Sequence, residues 1–124
     1  MTVKEVSEKY NITQDTLRYY ERVGMIPEVT RTSGGIRSYQ QKDLDWVELA
    51  LCMRSAGLPV EVMIQYVQLC KEGESTIPAR LELLQKQREA LHLQREQLDT
   101  TLDKLNYKIK KYEKAIDTGK LNWD

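Results

Sequence analysis

The chain has 124 residues, 40% of them hydrophobic and 31% charged, with 19 Lys and Arg set against 19 Asp and Glu. Its charge share exceeds the roughly 25% of an average globular chain, the mark of a helix-rich protein with a long solvated surface. No apolar run approaches the ~20 residues that span a bilayer and Met1 opens no export pattern, which predicts a cytoplasmic protein without a membrane partner.

Helix signals begin at once. Thr2 and Glu5 form a capping box, with Val3, Val6 and Tyr10 on one face of a helix that ends near Asn11. Thr13 is a second N-cap, opening a helix from Gln14 to Val23 that stops at Gly24. Two short helices joined by so few residues suit a helix-turn-helix, with Leu17 and Tyr20 turned inward and Gln14, Arg18 and Arg22 on another side. Pro27 breaks the helical pattern, and Val29–Tyr39 reads as a hairpin turning at Ser33-Gly34-Gly35. A third helix is predicted from Lys42 to Ala56 with Leu44, Val47 and Leu51 buried. A fourth starts at Pro59 and runs toward Lys71, with Glu72–Ser75 as a linker.

From Ile77 the pattern changes. Ile77, Leu81, Leu84, Arg88, Leu91, Arg95, Leu98, Leu102, Leu105, Ile109, Tyr112 and Ile116 alternate four and three apart, a heptad seam. Such a helix of about 40 residues would be ~60 Å long, and its apolar seam needs a cover from outside itself. Arg88 and Arg95 at a positions would meet their own copies in a parallel dimer. An antiparallel pair instead sets them beside leucines, within reach of Glu89, Glu96 or Asp99. The expected fold is therefore mainly α: a winged helix-turn-helix head over residues 1–72, a dimerisation helix over 76–118 forming an antiparallel coiled coil, and a short tail over 119–124.

Between Val29 and Lys42 lie three cations, Arg31, Arg37 and Lys42, and no acid. Arg18, Tyr19, Arg22 and Tyr39 surround them in the reading above. Arginine forks match phosphate oxygens and the guanine edge, and tyrosine hydroxyls donate to phosphates. The head thus reads as a DNA binder. A helix hairpin can also be a plain packing unit, and a coiled-coil module docking a protein partner is the other reading. An enzyme is not expected, for the chain has no paired base and nucleophile, no Gly-rich phosphate loop and no metal triad.

Thr16-Leu17-Arg18-Tyr19-Tyr20-Glu21 with Gly24-Met25-Ile26-Pro27, Arg31…Gly35-Ile36-Arg37-Ser38-Tyr39, and Arg54-Ser55-Ala56-Gly57-Leu58 together resemble the signature of MerR-family transcription regulators over residues 1–70. The resemblance implies a homodimer on double-stranded promoter DNA. That dimer bends and untwists a spacer too long for RNA polymerase, bringing two promoter elements into register. It places Arg18 and Tyr19 in the reading helix, with Thr13, Gln14 and Thr16 as further groove-facing positions and Tyr20 shared between DNA and core. Arg31, Arg37 and Tyr39 belong to the wing, and Arg54 to a phosphate. Asp15, where an acid is unusual, is either a helix-start stabiliser or a reader of a cytosine amino group.

The input signal is less legible. No thiol or imidazole follows Tyr107, so neither a metal nor another cofactor is expected. The context of Cys52 is similar to a branch of the family that responds to aldehydes, other electrophiles or nitrosative stress through one cysteine, which makes it the candidate effector-sensing residue. Its helical neighbours Glu48, Leu49, Ser55 and Ala56 include no cation to activate it, so a small packed residue is the competing reading, and a repressor without an effector follows from that. Cys70 reads as packing, with a Cys52–Cys70 redox pair left open, and His92 as a solvated rim residue.

Overall fold

In a computed structural model, which describes residues 1–123, the helices are α1 (Val3–Tyr10), α2 (Gln14–Arg22), α3 (Gln41–Ser55), α4 (Val60–Glu72) and α5 (Ile77–Thr118), with a 3₁₀ turn at Glu74–Thr76. No helix among the described residues is long and apolar enough to cross a membrane. The chain divides into a unit ending at Gln85 and a second beginning at Lys86, with α5 continuous through both.

The caps explain where the first helices start. Thr2 accepts from Glu5 N while the Glu5 carboxylate accepts from Thr2 N, and that bonding holds the Glu5 carboxyl below its usual range. Thr13 Oγ1 accepts from Thr16 N at 3.0 Å to open α2. Asn11 turns the chain between them in the left-handed region (φ 54°). After α2, Gly24 at φ +83° lets Met25 N and Ile26 N bond back to Tyr20 O, which drives Met25 and Ile26 into the core. Val6, Leu17, Met25, Ile26, Val47 and Met63 are wholly or almost wholly buried, so the first unit carries a core of its own.

Several expectations are corrected. The hairpin is reduced to one antiparallel bridge, Arg31 to Arg37, with no strand among the described residues. Its turn is tight: Gly35 N bonds Thr32 O, and Gly35 sits at φ +80°, a conformation glycine adopts without strain. The buried stripe of α3 runs through Leu44, Val47, Ala50 and Met53, while Leu51 is half-buried to one side. Pro59 is the N-cap of α4 and not its first residue, its ψ of 145° lying outside the helical region.

The expected linker is a built corner. Thr76 Oγ1 donates to Leu69 O, and Arg80 of α5 donates to Gly73 O at 2.7 Å and to Thr76 Oγ1 at 2.9 Å. The first turns of α5 are therefore tied to the end of α4. Buried Asp43 adds a second tie, accepting from Gln40 N at the head of α3 and from Thr30 N at the base of the wing.

No residue of α5 is buried. Leu98, Leu102, Leu105, Ile109, Tyr112 and Ile116 of the seam are all exposed. Arg95 Nη2 lies 3.1 Å from His92 Nδ1, so His92 has a partner on its own helix. Beyond α5, Gly119 at φ +74° reverses the chain. Trp123 then lies edge-on to Tyr112 at 5.8 Å, with Lys108 4.8 Å from its ring centre and Tyr107 donating to its carbonyl. The expected tail is thus folded along α5, apart from Asp124, which lies outside the described residues.

Candidate nucleic-acid interface

The cations of α2 and of the wing converge. Arg18, Arg22, Arg31 and Arg37 line an open cleft of about 530 Å³ together with Glu21 and Glu28. Four guanidinium groups against two carboxylates leave the cleft cationic, the arrangement that seats a phosphate backbone. Arg18 is held by its own helix, donating to Asp15 at 3.2 Å and to Gln14 at 3.3 Å. Asp15 is almost fully solvated, in the first turn of α2, where an acid favours the helix dipole. This geometry supports the helix-start reading of Asp15. Arg22 lies over the ring of exposed Tyr19 at 5.5 Å.

Thr13, Gln14 and Thr16 sit at the N-terminal end of the same helix, Thr13 exposed and the other two half-buried. Thr13 and Thr16 hydroxyls lie 2.7 Å apart, leaving each with capacity for a further bond. This end of α2 is therefore polar and open.

Two of the expected DNA-facing tyrosines are core residues. Tyr20 is 9% exposed, and Tyr39 is 1% exposed with its hydroxyl buried and unpartnered. The cause is helical and hairpin geometry: Tyr20 shares the face of Leu17, and Tyr39 N is tied to Met1 O at 2.7 Å where the wing closes on α1. Burial pushes the Tyr39 phenol above its usual pKa. Its role here is to anchor the base of the wing. Arg54 is exposed but absent from the cleft, and its Nη1 donates to Leu58 O at 2.7 Å, closing the turn between α3 and α4.

Glu21 was missed by sequence reasoning. Its side chain is 7% exposed and accepts from Val29 N at 2.7 Å, Arg37 Nε at 2.6 Å and Arg31 Nη2 at 3.5 Å. The only hint was negative: a wing with three cations and no acid needs a counter-charge from another element.

Cys52 is exposed on α3 and Cys70 half-buried on α4; neither is in a disulfide. Cys52 is therefore not packed within its own chain. Cys70 accompanies Tyr66, whose phenol is raised chiefly by burial and also by Cys70. Among the described residues no group of three His, Cys, Asp or Glu side chains could hold a metal.

Comparison with known proteins shows the family and the fold. The profile of the MerR HTH family regulatory protein matches residues 1–70. The chain is 45% identical to the HTH-type transcriptional regulator AdhR of Bacillus subtilis over 91 residues, which cover 73% of this chain and 65% of AdhR. Its structure is similar to that of a MerR family transcriptional regulator from Listeria monocytogenes, with TM-score 0.90 and 41% identity, covering 96% of this chain and 90% of that one. It also matches HiNmlR, a MerR family regulator lacking the sensor domain and bound to promoter DNA, with TM-score 0.85 and 32% identity, covering 97% of this chain and 95% of that one. The chain belongs to the MerR family of helix-turn-helix transcription regulators, a family of regulators and not of enzymes.

Proposed function

We propose that this MerR-family chain binds double-stranded promoter DNA in the cytoplasm as an antiparallel homodimer and switches transcription by bending and untwisting the spacer under RNA polymerase. The observation that carries the reading is the arginine cleft between α2 and the wing. In the proposed complex Arg18 and Tyr19, with Thr13, Gln14 and Thr16 at the entering end, address the major groove. Arg31 and Arg37 of the wing take phosphates, and Arg54 takes another at the α3–α4 turn. Tyr20 and Tyr39 act through packing, since both are buried.

Dimerisation follows from the α5 seam. Apolar side chains spread over the length of α5 are left exposed by the chain's own fold, and a second α5 would cover them. Residues 1–72 then serve as the DNA-binding head and 76–118 as the dimerisation helix. Two linked heads bind cooperatively because the second contact is intramolecular. Deforming the intervening duplex costs a few kcal/mol, which the dimer's contacts must offset.

A thiol-reactive input through Cys52 is the second reading, favoured by one observation, the exposure of that thiol two residues before Arg54. An adduct there would enlarge a side chain near the turn that Arg54 closes. Transcription in vitro from the promoter beside the chain's own gene tests both readings. Wild type should alter the transcript level, and Arg18→Ala and Arg37→Ala should each need about tenfold more protein for the same effect. A dose-response unchanged in both variants removes the DNA-reading assignment. Cys52→Ser should keep DNA affinity and lose any response to aldehydes or oxidants, and an unchanged response removes the sensor claim.

A further inference from the structure

We infer that Glu21 is a positioning residue for DNA binding: it aims the wing arginines into the cleft, although it is itself an acid at an anion-binding surface. The inference rests on the DNA-binding reading of that cleft and assigns it an internal brace. Glu21 lies in the last turn of α2, and its Oε2 accepts from Val29 N, which fixes where the chain enters the wing. Its Oε1 accepts from Arg37 Nε at 2.6 Å, and Arg31 Nη2 approaches the same oxygen at 3.5 Å. One carboxylate thus ties the reading helix to both sides of the single Arg31–Arg37 bridge.

The choice of nitrogen matters. A guanidinium has five donors in a planar fork. Arg37 spends Nε on Glu21, which leaves its two Nη nitrogens as the free edge, the edge that grips a phosphate through two parallel bonds. Arg31 uses Nη1 on Gly35 O, so it is held at the turn as well as at Glu21. The wing has one bridge, flanked by backbone bonds from Thr32 N to Ile36 O and from Ser38 N to Thr30 O, which fix its backbone and leave the direction of the Arg37 side chain to other contacts. Among the described residues Arg37 has no other side-chain hydrogen bond, so without the carboxylate the ordering of a long flexible side chain would fall to the binding step.

Loss of the brace and simple electrostatics change DNA affinity in opposite directions. Glu21→Gln removes a negative charge from a phosphate-facing cleft, which by Coulomb's law should tighten binding. It also leaves one carbonyl oxygen where two acceptors served Val29 and the arginines, so the brace account predicts weaker binding. Glu21→Asp keeps the charge and withdraws the carboxylate by one methylene; charge alone predicts no change, while the brace predicts a loss.

The probe is a labelled duplex selected by the wild-type chain from a random-sequence pool, with affinity measured over a range of salt for wild type, Glu21→Gln, Glu21→Asp, Arg37→Ala and the Glu21→Gln/Arg37→Ala pair. Both Glu21 variants should bind about tenfold more weakly, the scale of a lost charge-assisted hydrogen bond. The slope of log K against log salt should shrink by about one phosphate's worth. In the Arg37→Ala background the Glu21→Gln loss should largely vanish, which separates positioning from general destabilisation, and thermal melting checks that each variant is folded. Tighter binding by Glu21→Gln, or an undiminished loss in the Arg37→Ala background, overturns the brace while leaving DNA binding intact. Failure of the wild type to select any duplex overturns the DNA-binding reading itself, and with it the brace.

Discussion

The unit ending at Gln85 and the α5 segment beyond it solve the problem of apolar surface in opposite ways. The first unit buries Val6, Leu17, Met25, Val47 and Met63 within itself. The second is a single helix with a back-folded tail, and no residue of α5 is buried. An isolated helix gains little from propensity alone, and a solvated seam of this length is what the proposed pairing with a second α5 would cover. The first region carries its own core; the second leaves its apolar face open.

The largest effect should come from the seam. Leu98→Glu combined with Leu102→Glu places charges where a second α5 would press, and should convert the dimer to monomer with duplex affinity falling by more than about a hundredfold, since avidity is lost with the second head. Sedimentation and binding titration read both, and the melting of the first unit should be almost unchanged. A core change should do the reverse. Leu17→Ala removes a wholly buried side chain from between α1 and α2 and should cost roughly 2–5 kcal/mol of stability in a thermal or urea melt. Oligomeric state below the melting point should not move.

Contacts at the cleft come next. Arg18→Ala should weaken duplex binding by about tenfold and reduce the salt slope by about one, with little effect on melting because Arg18 is paired only within its own helix, with solvated Asp15 and half-buried Gln14. The smallest effect belongs to Tyr10, which donates to Glu48 at 2.6 Å and so links α1 to α3. Burial, followed by that bond to Glu48, pushes its phenol up to about 12. Because the protonated phenol is the favoured folded form, its contribution is complete below about pH 10, the ordinary tyrosine value, and is lost as pH rises toward 12. Tyr10→Phe should lower stability by less than about 1 kcal/mol at neutral pH, and the difference from wild type should shrink in melts above pH 10.

How much was legible in the sequence divides along the same line. Caps and heptads are local, so Thr2 with Glu5, Thr13 before Gln14, and the four-three spacing from Ile77 could be read directly. The convergence of Arg18, Arg31 and Arg37 was also legible, because it needed only a helix beside a hairpin. What escaped is non-local. The partners of Glu21 lie eight, ten and sixteen residues away, beyond any helical or hairpin spacing. The same holds for Asp43, which reaches back to Thr30, and for Tyr39, whose ring is drawn into the core by pairing with Met1. Glu72–Ser75 reads as a linker because its polar composition hides the bonds that Arg80 makes to Gly73 and Thr76.

The most direct test of the central claim is sedimentation of the full chain with its selected duplex at several salt concentrations. Two chains should travel with each duplex, and the association constant should fall steeply with salt, by close to one power for each phosphate engaged by the paired heads. A single chain per duplex, or affinity indifferent to salt, would contradict the account.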